Sequence, residues 1–176
     1  GRAATYNLYY KAATGPGTER LLYQSPLTKF GDDWSGDGRY IIFEEFHPKT
    51  KIDLWLLPME GADRKPVPYL VTPFDESHAQ FSRDSRFIAY SSNESGTPEV
   101  YAQPFPATGE KWQISTGGGD QVVWGRDGKS IYYVTPDRRL VKVEVDLARG
   151  VEPGTPKELF QARIPPNRMT SYRNSY

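Results

Sequence analysis

The residues best suited to polar chemistry stand at the starts of two predicted strands. One histidine, His78, follows two acidic residues in "DESHAQF", and an acid-amide pair precedes a later strand in "GGGDQVVW". Carboxylate, imidazole and amide groups can hydrogen-bond a polar ligand or hold a cation. We therefore predict a ligand-binding site formed by Asp75, Glu76, His78, Asp120 and Gln121. An ordinary loop histidine is the alternative for His78, and the sequence leaves both open.

The spacing of the polar residues does not support a metal or cofactor site. His47 and His78 lack the separation of an HExxH motif. The Asp turns at 37, 84 and 127 lack the alternating acids of an EF-hand loop. The segment "TGGGDQ" (116–121) lacks the Lys-Ser/Thr of a phosphate loop and precedes a strand instead of a helix. The chain has no cysteine, which excludes disulfides and thiolate ligands. We predict no metal and no cofactor.

Known catalytic patterns are also missing from the sequence. The chain contains no G-x-G-x-x-G-x-V, H-R-D or D-F-G segment of a protein kinase, and no G-x-S-x-G elbow of a serine hydrolase. We therefore predict no catalytic residue, and the chain is expected not to be an enzyme.

The elements that must position the polar residues are short strands. Aromatic residues make up 14% of the chain, and 16 Gly and 15 Pro supply many turns. No stretch of 11 or more residues keeps a helical apolar spacing free of Gly or Pro. Segments such as "YIIFEEF", "FIAYSS" and "SIYYVT" are instead typical strands bounded by turn residues.

The strand pattern repeats along the chain. Trp34, Phe81 and Trp124 occupy equivalent places, each followed by a tight turn and two runs of β-forming residues. Four strands in a repeat of about 40–50 residues indicate a β-propeller. We predict an all-β propeller segment of about 3.5–4 four-stranded antiparallel blades. Its parts are a half blade at 1–25, blades at 26–71, 72–115 and 116–162, and a linker or further blade at 163–176.

Each repeat has an Asp turn between its first two strands. Asp and Gly suit this place because the Asp side chain caps the turn and Gly takes a positive φ. The turns contain Asp37-Gly38, Asp84-Ser85 and Asp127-Gly128. Ser85 stands where glycine is preferred, so we expect it to adopt a positive φ at a cost of about 1 kcal/mol.

These turns, followed by strands such as "YIIF" and "SIYY", resemble the WD40-like (PD40) propeller repeats of the TolB type. The segments "NLYYKAATGPGTERLLYQSP" and "IAYSSNESGTPEVYAQPFP" are similar to the propeller that follows the kinase domain in bacterial serine/threonine kinases. The resemblance covers residues 6–160. The family turn is usually Ser-Pro-Asp-Gly, and all three turns here lack the proline. The resemblance implies a bacterial propeller in an extracytoplasmic, periplasmic setting.

The charge balance and the apolar surface limit the classes of partner expected for this chain. Lys and Arg balance Asp and Glu at 22 each, and no basic run is present, which argues against nucleic acid as the main partner. No apolar stretch is long enough for a membrane helix. Three and a half blades would leave two apolar sheet faces open. We therefore expect self-association, or the rest of a longer chain, to complete the ring.

Two functional hypotheses follow. The first is a non-catalytic binding, sensory or scaffolding propeller whose protein or small ligand sits at the channel mouth. The alternative is an accessory propeller that gates a prolyl-oligopeptidase-type hydrolase whose catalytic domain is absent here. Trp55, Tyr69, Tyr101 and Trp112 could form a protein-binding face, but aromatic residues at strand spacing favour core packing.

Overall fold

The computed structural model describes residues 5–61 and 64–163. In these residues the chain forms strands and turns and no helix, so no helix capable of crossing a membrane occurs among them. The predicted linker or further blade at 163–176 lies outside the described residues, apart from Arg163. The prediction of an all-β propeller segment with four-stranded antiparallel blades is confirmed.

The chain begins with a two-stranded sheet and continues with two sheets of four strands. The two-stranded sheet contains β1 (Leu8–Tyr10) and β2 (Arg20–Tyr23). The first four-stranded sheet contains β3 (Lys29–Trp34), β4 (Tyr40–His47), β5 (Lys51–Pro58) and β6 (Val67–Leu70). The second contains β7 (Glu76–Phe81), β8 (Phe87–Ser92), β9 (Glu99–Pro104) and β10 (Trp112–Gln113). In both, neighbours in sequence pair antiparallel, as short hairpin connections favour.

The last sheet has the same order with a divided outer strand. It contains β11 (Asp120–Trp124), β12 (Ser130–Val134), β13 (Arg139–Asp146), β14 (Glu152–Pro153) and β15 (Lys157–Gln161). Strands β14 and β15 pair with successive parts of β13. Since β12 occupies the other edge of β13, the two short strands together take the place of one fourth strand.

Apolar side chains fill the space between neighbouring sheets. One cluster joins the β3–β6 sheet to the β7–β10 sheet through residues such as Leu54, Ile88 and Tyr90. Another joins the β7–β10 sheet to the last sheet through Ala89, Val100 and Ile131. The middle strand β8 is buried along its whole length, as its continuous apolar sequence predicts. The stacked sheets, and not any single sheet, therefore hold the core.

The aromatic residues considered for a binding face belong to this packing. Tyr101 is buried, and Trp55, Tyr69 and Trp112 pack against the clusters while remaining partly exposed. The core interpretation of these side chains is confirmed.

The three Asp turns have the predicted geometry. The Asp84 carboxylate accepts hydrogen bonds from the Ser82 hydroxyl at 2.7 Å and the Arg86 N–H at 3.2 Å. Asp37 and Asp127 accept equivalent bonds from the N–H two residues later, at 3.0 and 2.9 Å. Ser85 has a φ of 56°, and its hydroxyl accepts a hydrogen bond from the Gly36 N–H at 2.9 Å. The positive φ predicted for Ser85 is confirmed, and its side chain links two neighbouring turns.

The inner strands are also joined by hydrogen bonds from one sheet to the next. An Asp33 carboxylate oxygen accepts the Phe81 N–H at 2.9 Å, and the Gln80 amide oxygen accepts the Trp124 N–H at 2.6 Å. The Trp124 indole N–H also donates to the Gln80 carbonyl at 3.1 Å. Asp33 and Gln80 precede the equivalent aromatic residues Trp34 and Phe81, so the same bond is made at two successive junctions.

Both ends of the described arc present apolar side chains to solvent. On the last sheet Val123 is 47% exposed and Phe160 is 61% exposed. On the two-stranded sheet Tyr9 and Leu21, which pair across β1 and β2, are about half exposed. Large apolar patches of this kind are usually covered by another surface.

We expect the 176-residue chain to self-associate because these faces are open. Light scattering after size exclusion should give a native mass well above the 20.0 kDa of one chain. The double variant Val123→Lys, Phe160→Lys should shift the mass toward 20.0 kDa, since lysine resists burial. A wild-type chain that stays monomeric at high concentration would contradict the interpretation of these faces as open.

Replacing Gln80 by leucine should destabilise the protein by about 1–3 kcal/mol, because the Trp124 N–H loses its acceptor. The free energy of unfolding can be measured by denaturant titration. Gln161→Leu, in the exposed strand β15, is a matched control that should change it by about 0.5 kcal/mol or less. Equal effects of the two substitutions would argue against a specific role for the Gln80 bond.

Candidate functional site

The site lies where the inner strands β7 and β11 begin. Each of these strands has a β-bulge near its start, between Ser77 and Gln80 in β7 and between Asp120 and Val123 in β11. His78 and Gln121 occupy equivalent places in the two bulges, with φ of 53° and 54°. Non-glycine residues seldom adopt such angles, and bulges of this kind often re-aim side chains beside binding sites. The structure thus brings the two predicted segments to one end of adjacent inner strands.

A His–Asp pair connects the two strands. The His78 Nδ1 atom lies 2.8 Å from an Asp120 carboxylate oxygen, and the two side chains are 37% and 25% exposed. The same Asp120 oxygen accepts the Gln121 N–H at 2.8 Å. Burial alone would raise the pKa of Asp120, but the hydrogen bond and charge of His78 outweigh it, and the pKa lies below its usual value. Asp120 is therefore a carboxylate at neutral pH.

Two acidic residues of the preceding sheet support the bulge of β7. A Glu44 carboxylate oxygen accepts the His78 N–H at 2.8 Å, and an Asp32 carboxylate oxygen accepts the Ala79 N–H at 3.0 Å. Burial, followed by the charge of Glu44, raises the pKa of Asp32 well above its usual value. Burial also raises the pKa of Glu44, against the opposing effect of His78. Burial thus disfavours the charged form of both carboxyls.

Sequence reasoning missed Glu44 and Asp32. The signal was present in "YIIFEEF", where Glu44 and Glu45 interrupt an otherwise apolar strand, and in the acidic pair before Trp34. A buried acid within an apolar strand needs a donor, and here the donor is the bulged backbone of the next sheet.

Asp75 holds a loop beside the pair. Its N–H donates to the Asn93 side-chain oxygen at 3.0 Å, and the Asn93 amide donates back to the Asp75 carboxylate at 2.8 Å. The Lys51 ammonium lies 3.9 Å from the same carboxylate. Asp75, directly before the start of β7 in sequence, therefore fixes the turn after β8.

Glu76 is placed differently from the other predicted residues. It is 2% exposed, and one carboxylate oxygen accepts a hydrogen bond from the Thr72 hydroxyl. The other oxygen has no hydrogen-bond partner, as is also true of one oxygen of the buried Asp53. Burial raises the pKa of Glu76 to about 7, and the charge of Asp53 adds to this effect. Glu76 lies in the interior and does not reach the surface that a ligand could contact.

The geometry around His78 differs from that of a catalytic triad. A Ser-His-Asp triad places the serine and the aspartate on different ring nitrogens of the histidine. Here both the Ser77 hydroxyl, at 3.3 Å, and Asp120 lie against Nδ1 of His78. Within the described residues no group of three His, Cys, Asp or Glu is arranged to hold a metal ion. The absence of catalysis stays a prediction.

Comparisons with solved structures show the fold. The chain superposes on a protein described as TolB from Agrobacterium tumefaciens with a TM-score of 0.65 and 14% identity, over 88% of this chain and 60% of that one. For TolB from Acinetobacter baumannii the TM-score is 0.61 with 17% identity, over 81% of this chain and 34% of that protein. For a protein from Lactobacillus plantarum the TM-score is 0.55 with 16% identity, over 85% of this chain and 48% of that protein.

The chain therefore spans less than two thirds of each of these proteins and shares their fold. The TolB-type propeller fold inferred from the turns and strands is confirmed. No protein-family model matches the sequence, and a search of curated proteins gives no match. The similarity to kinase-linked propellers stays a prediction.

The raised pKa of Glu76 makes stability depend on pH. Folding favours the protonated Glu76 carboxyl. Its stabilising contribution to the free energy of unfolding is therefore fully present below about pH 4.5 and is lost as the pH rises through about 7. Relative to Glu76→Gln, the wild type should lose about 1–3 kcal/mol of unfolding free energy across this window. Urea titrations at pH 5 and pH 8 measure the difference. Glu152→Gln, at an exposed site, should show no such trend. A constant difference between wild type and Glu76→Gln would show that Glu76 has an ordinary pKa.

Proposed function

We propose that this chain is a non-catalytic interaction module that binds a positively charged group of a partner protein at the mouth formed by His78 and Asp120. The observation that carries the proposal is the partly exposed pair that these residues form across β7 and β11. The apolar core does not need this pair, because the two sheets are already joined by buried side chains and by the Gln80 bond.

The charge at the mouth favours a cationic ligand. Asp120 is ionised, and the Asp75 carboxylate is paired only loosely with Lys51. A lysine or arginine side chain of a partner could donate hydrogen bonds to these carboxylate oxygens, and such charge-assisted bonds are strong when partly shielded from water. Gln121 offers an amide beside them for a backbone group of the same partner.

We also infer an extracytoplasmic location, on the resemblance to TolB-type repeats. Fractionation of cells that express the full-length protein tests it, and recovery from the cytoplasm would contradict it.

Peptide binding tests the proposed mouth. Labelled peptides of equal length, with Lys/Arg, Asp/Glu or Ser/Asn as their polar residues, can be titrated against the wild type by fluorescence anisotropy. The basic set should bind, and Asp120→Asn should weaken this binding about tenfold or more, with the thermal midpoint changed by only a few degrees. The matched control Asp146→Asn, at the other end of the last sheet, should bind like the wild type.

The proposal would be overturned if basic peptides bound no better than neutral ones. It would also be overturned if Asp120→Asn and Asp146→Asn had equal effects. Since the attraction is electrostatic, the binding should weaken as salt is raised from low to physiological concentration.

A further inference from the structure

A second surface lies at the opposite end of the same inner strands, and the mouth site does not use it. It is a cavity of about 420 Å³ between the Asp turns, lined by Trp34, Phe81, Arg83, Trp124 and Arg126 among others. Arg83 and Arg126 occupy the same place in two successive turns, where the first turn has Gly36. The two arginines therefore stand side by side around the axis of the arc.

The cations of this cavity are not neutralised by the turns that carry them. The turn carboxylates are engaged locally: Asp37 with Arg39 at 2.7 Å and Asp84 with Arg86 at 3.2 Å. Asp127 accepts bonds from its own turn. Among the described residues, no carboxylate pairs with Arg83 or Arg126. Arg83 instead donates to the Arg126 carbonyl at 3.0 Å, which fixes one guanidinium over the neighbouring turn.

One carboxylate does line the cavity, but it is turned to the backbone. Asp33 accepts the Phe81 N–H at 2.9 Å, and burial raises the pKa of its carboxyl. Its hydrogen bond goes to the backbone of the next sheet, and no ion pair joins it to Arg83 or Arg126 in the described part of the chain.

Trp34 supplies an apolar platform beside the arginines. It is 48% exposed, although its indole N–H is satisfied by the Gly38 carbonyl at 3.0 Å. An exposed tryptophan with its polar atom already paired offers its ring face to a ligand. The neighbouring turns approach closely, since a Cβ at Gly36 would lie 2.8 Å from the Arg83 carbonyl oxygen.

The surface continues beyond Arg83. A larger adjoining cavity of about 840 Å³ is also lined by Arg83, with Arg86 and Lys129 as further cations and Asp84, Asp127 and Asp146 as acids. The three carboxylates accept backbone N–H bonds from residues two positions later, at 2.9 to 3.2 Å. Arg83 borders both cavities, and the two together are called the groove. Two adjoining cavities suit a segment of several residues better than a single small anion. The net charge of zero for the whole chain favours a peptide over nucleic acid as its occupant.

We propose that this groove binds an acidic peptide segment of a partner protein, with its carboxylates on Arg83 and Arg126 and an apolar side chain on Trp34. Arginine and tryptophan are the residue types that most often dominate protein interfaces, and the guanidinium fork matches a carboxylate. The two ends of the inner strands would then take partners of opposite charge. The inference does not depend on the mouth site.

A labelled 12-residue peptide of Glu and Leu, titrated by anisotropy, tests the groove. The wild type should bind it, and the double variant Arg83→Gln, Arg126→Gln should weaken binding at least tenfold. Arg20→Gln, in the exposed strand β2 far from the groove, is the matched control and should change affinity less than twofold. Circular dichroism and the thermal midpoint establish that each variant is folded.

A second measurement locates the peptide independently. Binding should change the intrinsic fluorescence of the wild type, and Trp34→Phe should remove most of that change, because Trp34 is exposed and Trp124, which also lines the cavity, is buried. A fluorescence change of full size in Trp34→Phe would place the peptide away from Trp34 and overturn the assignment.

Other outcomes separate this groove from the mouth. Asp120→Asn should leave acidic-peptide binding unchanged, and the arginine double variant should leave basic-peptide binding unchanged. Absence of acidic-peptide binding to the wild type would overturn the groove alone. Equal binding of a single-stranded oligonucleotide, lost in the double variant, would overturn the choice of a peptide as its occupant.

Discussion

The structure depends on hydrogen bonds that cross from one inner strand to the next. Apolar faces hold neighbouring sheets together but do not fix their register, since dispersion and the hydrophobic effect are non-directional. The Phe81 N–H donates to Asp33 and the Trp124 N–H donates to Gln80. These directional bonds fix the register of neighbouring sheets. They also satisfy backbone donors on the edges of β7 and β11 that face away from their paired strands β8 and β12. The bulge of β7 has its own acceptors, because Glu44 and Asp32 accept the His78 and Ala79 N–H.

The exposed face of the last sheet lacks the hydrogen-bond acceptor that joins the inner strands of the preceding sheets. Val123 occupies the position of Asp33 and Gln80 in the last sheet, and its side chain has no oxygen to offer. A further sheet packed on this side could not receive the equivalent bond. Its register would have to come from apolar contacts with residues such as Val123 and Phe160, or from other polar groups.

The sequence predicted the fold well because the fold is set by local patterns. The equivalent aromatics Trp34, Phe81 and Trp124, with an Asp turn after each, specify the strand order, and even the strained Ser85 follows from alignment of the turns. The site was predicted less completely. His78, Asp120 and Gln121 do meet, but Glu76 turns inward, and Glu44 could not be assigned because its role depends on contact with a strand 34 residues away. Such contacts arise from the stacking of sheets, which local spacing does not encode.

The two proposed binding surfaces differ in charge because acidic residues have different hydrogen-bond partners at the two ends. At the turn end, Asp37, Asp84 and Asp127 cap the turns, so their charges are used within the turns and the neighbouring arginines dominate. At the mouth, the acids stabilise bulged backbone and His78, and Asp120 keeps its charge facing a partly open space. Because every inner strand runs from one end to the other, each added blade would extend both surfaces together. Two surfaces of opposite charge along one axis could hold two partners, or two parts of one partner, at a distance set by the length of a strand.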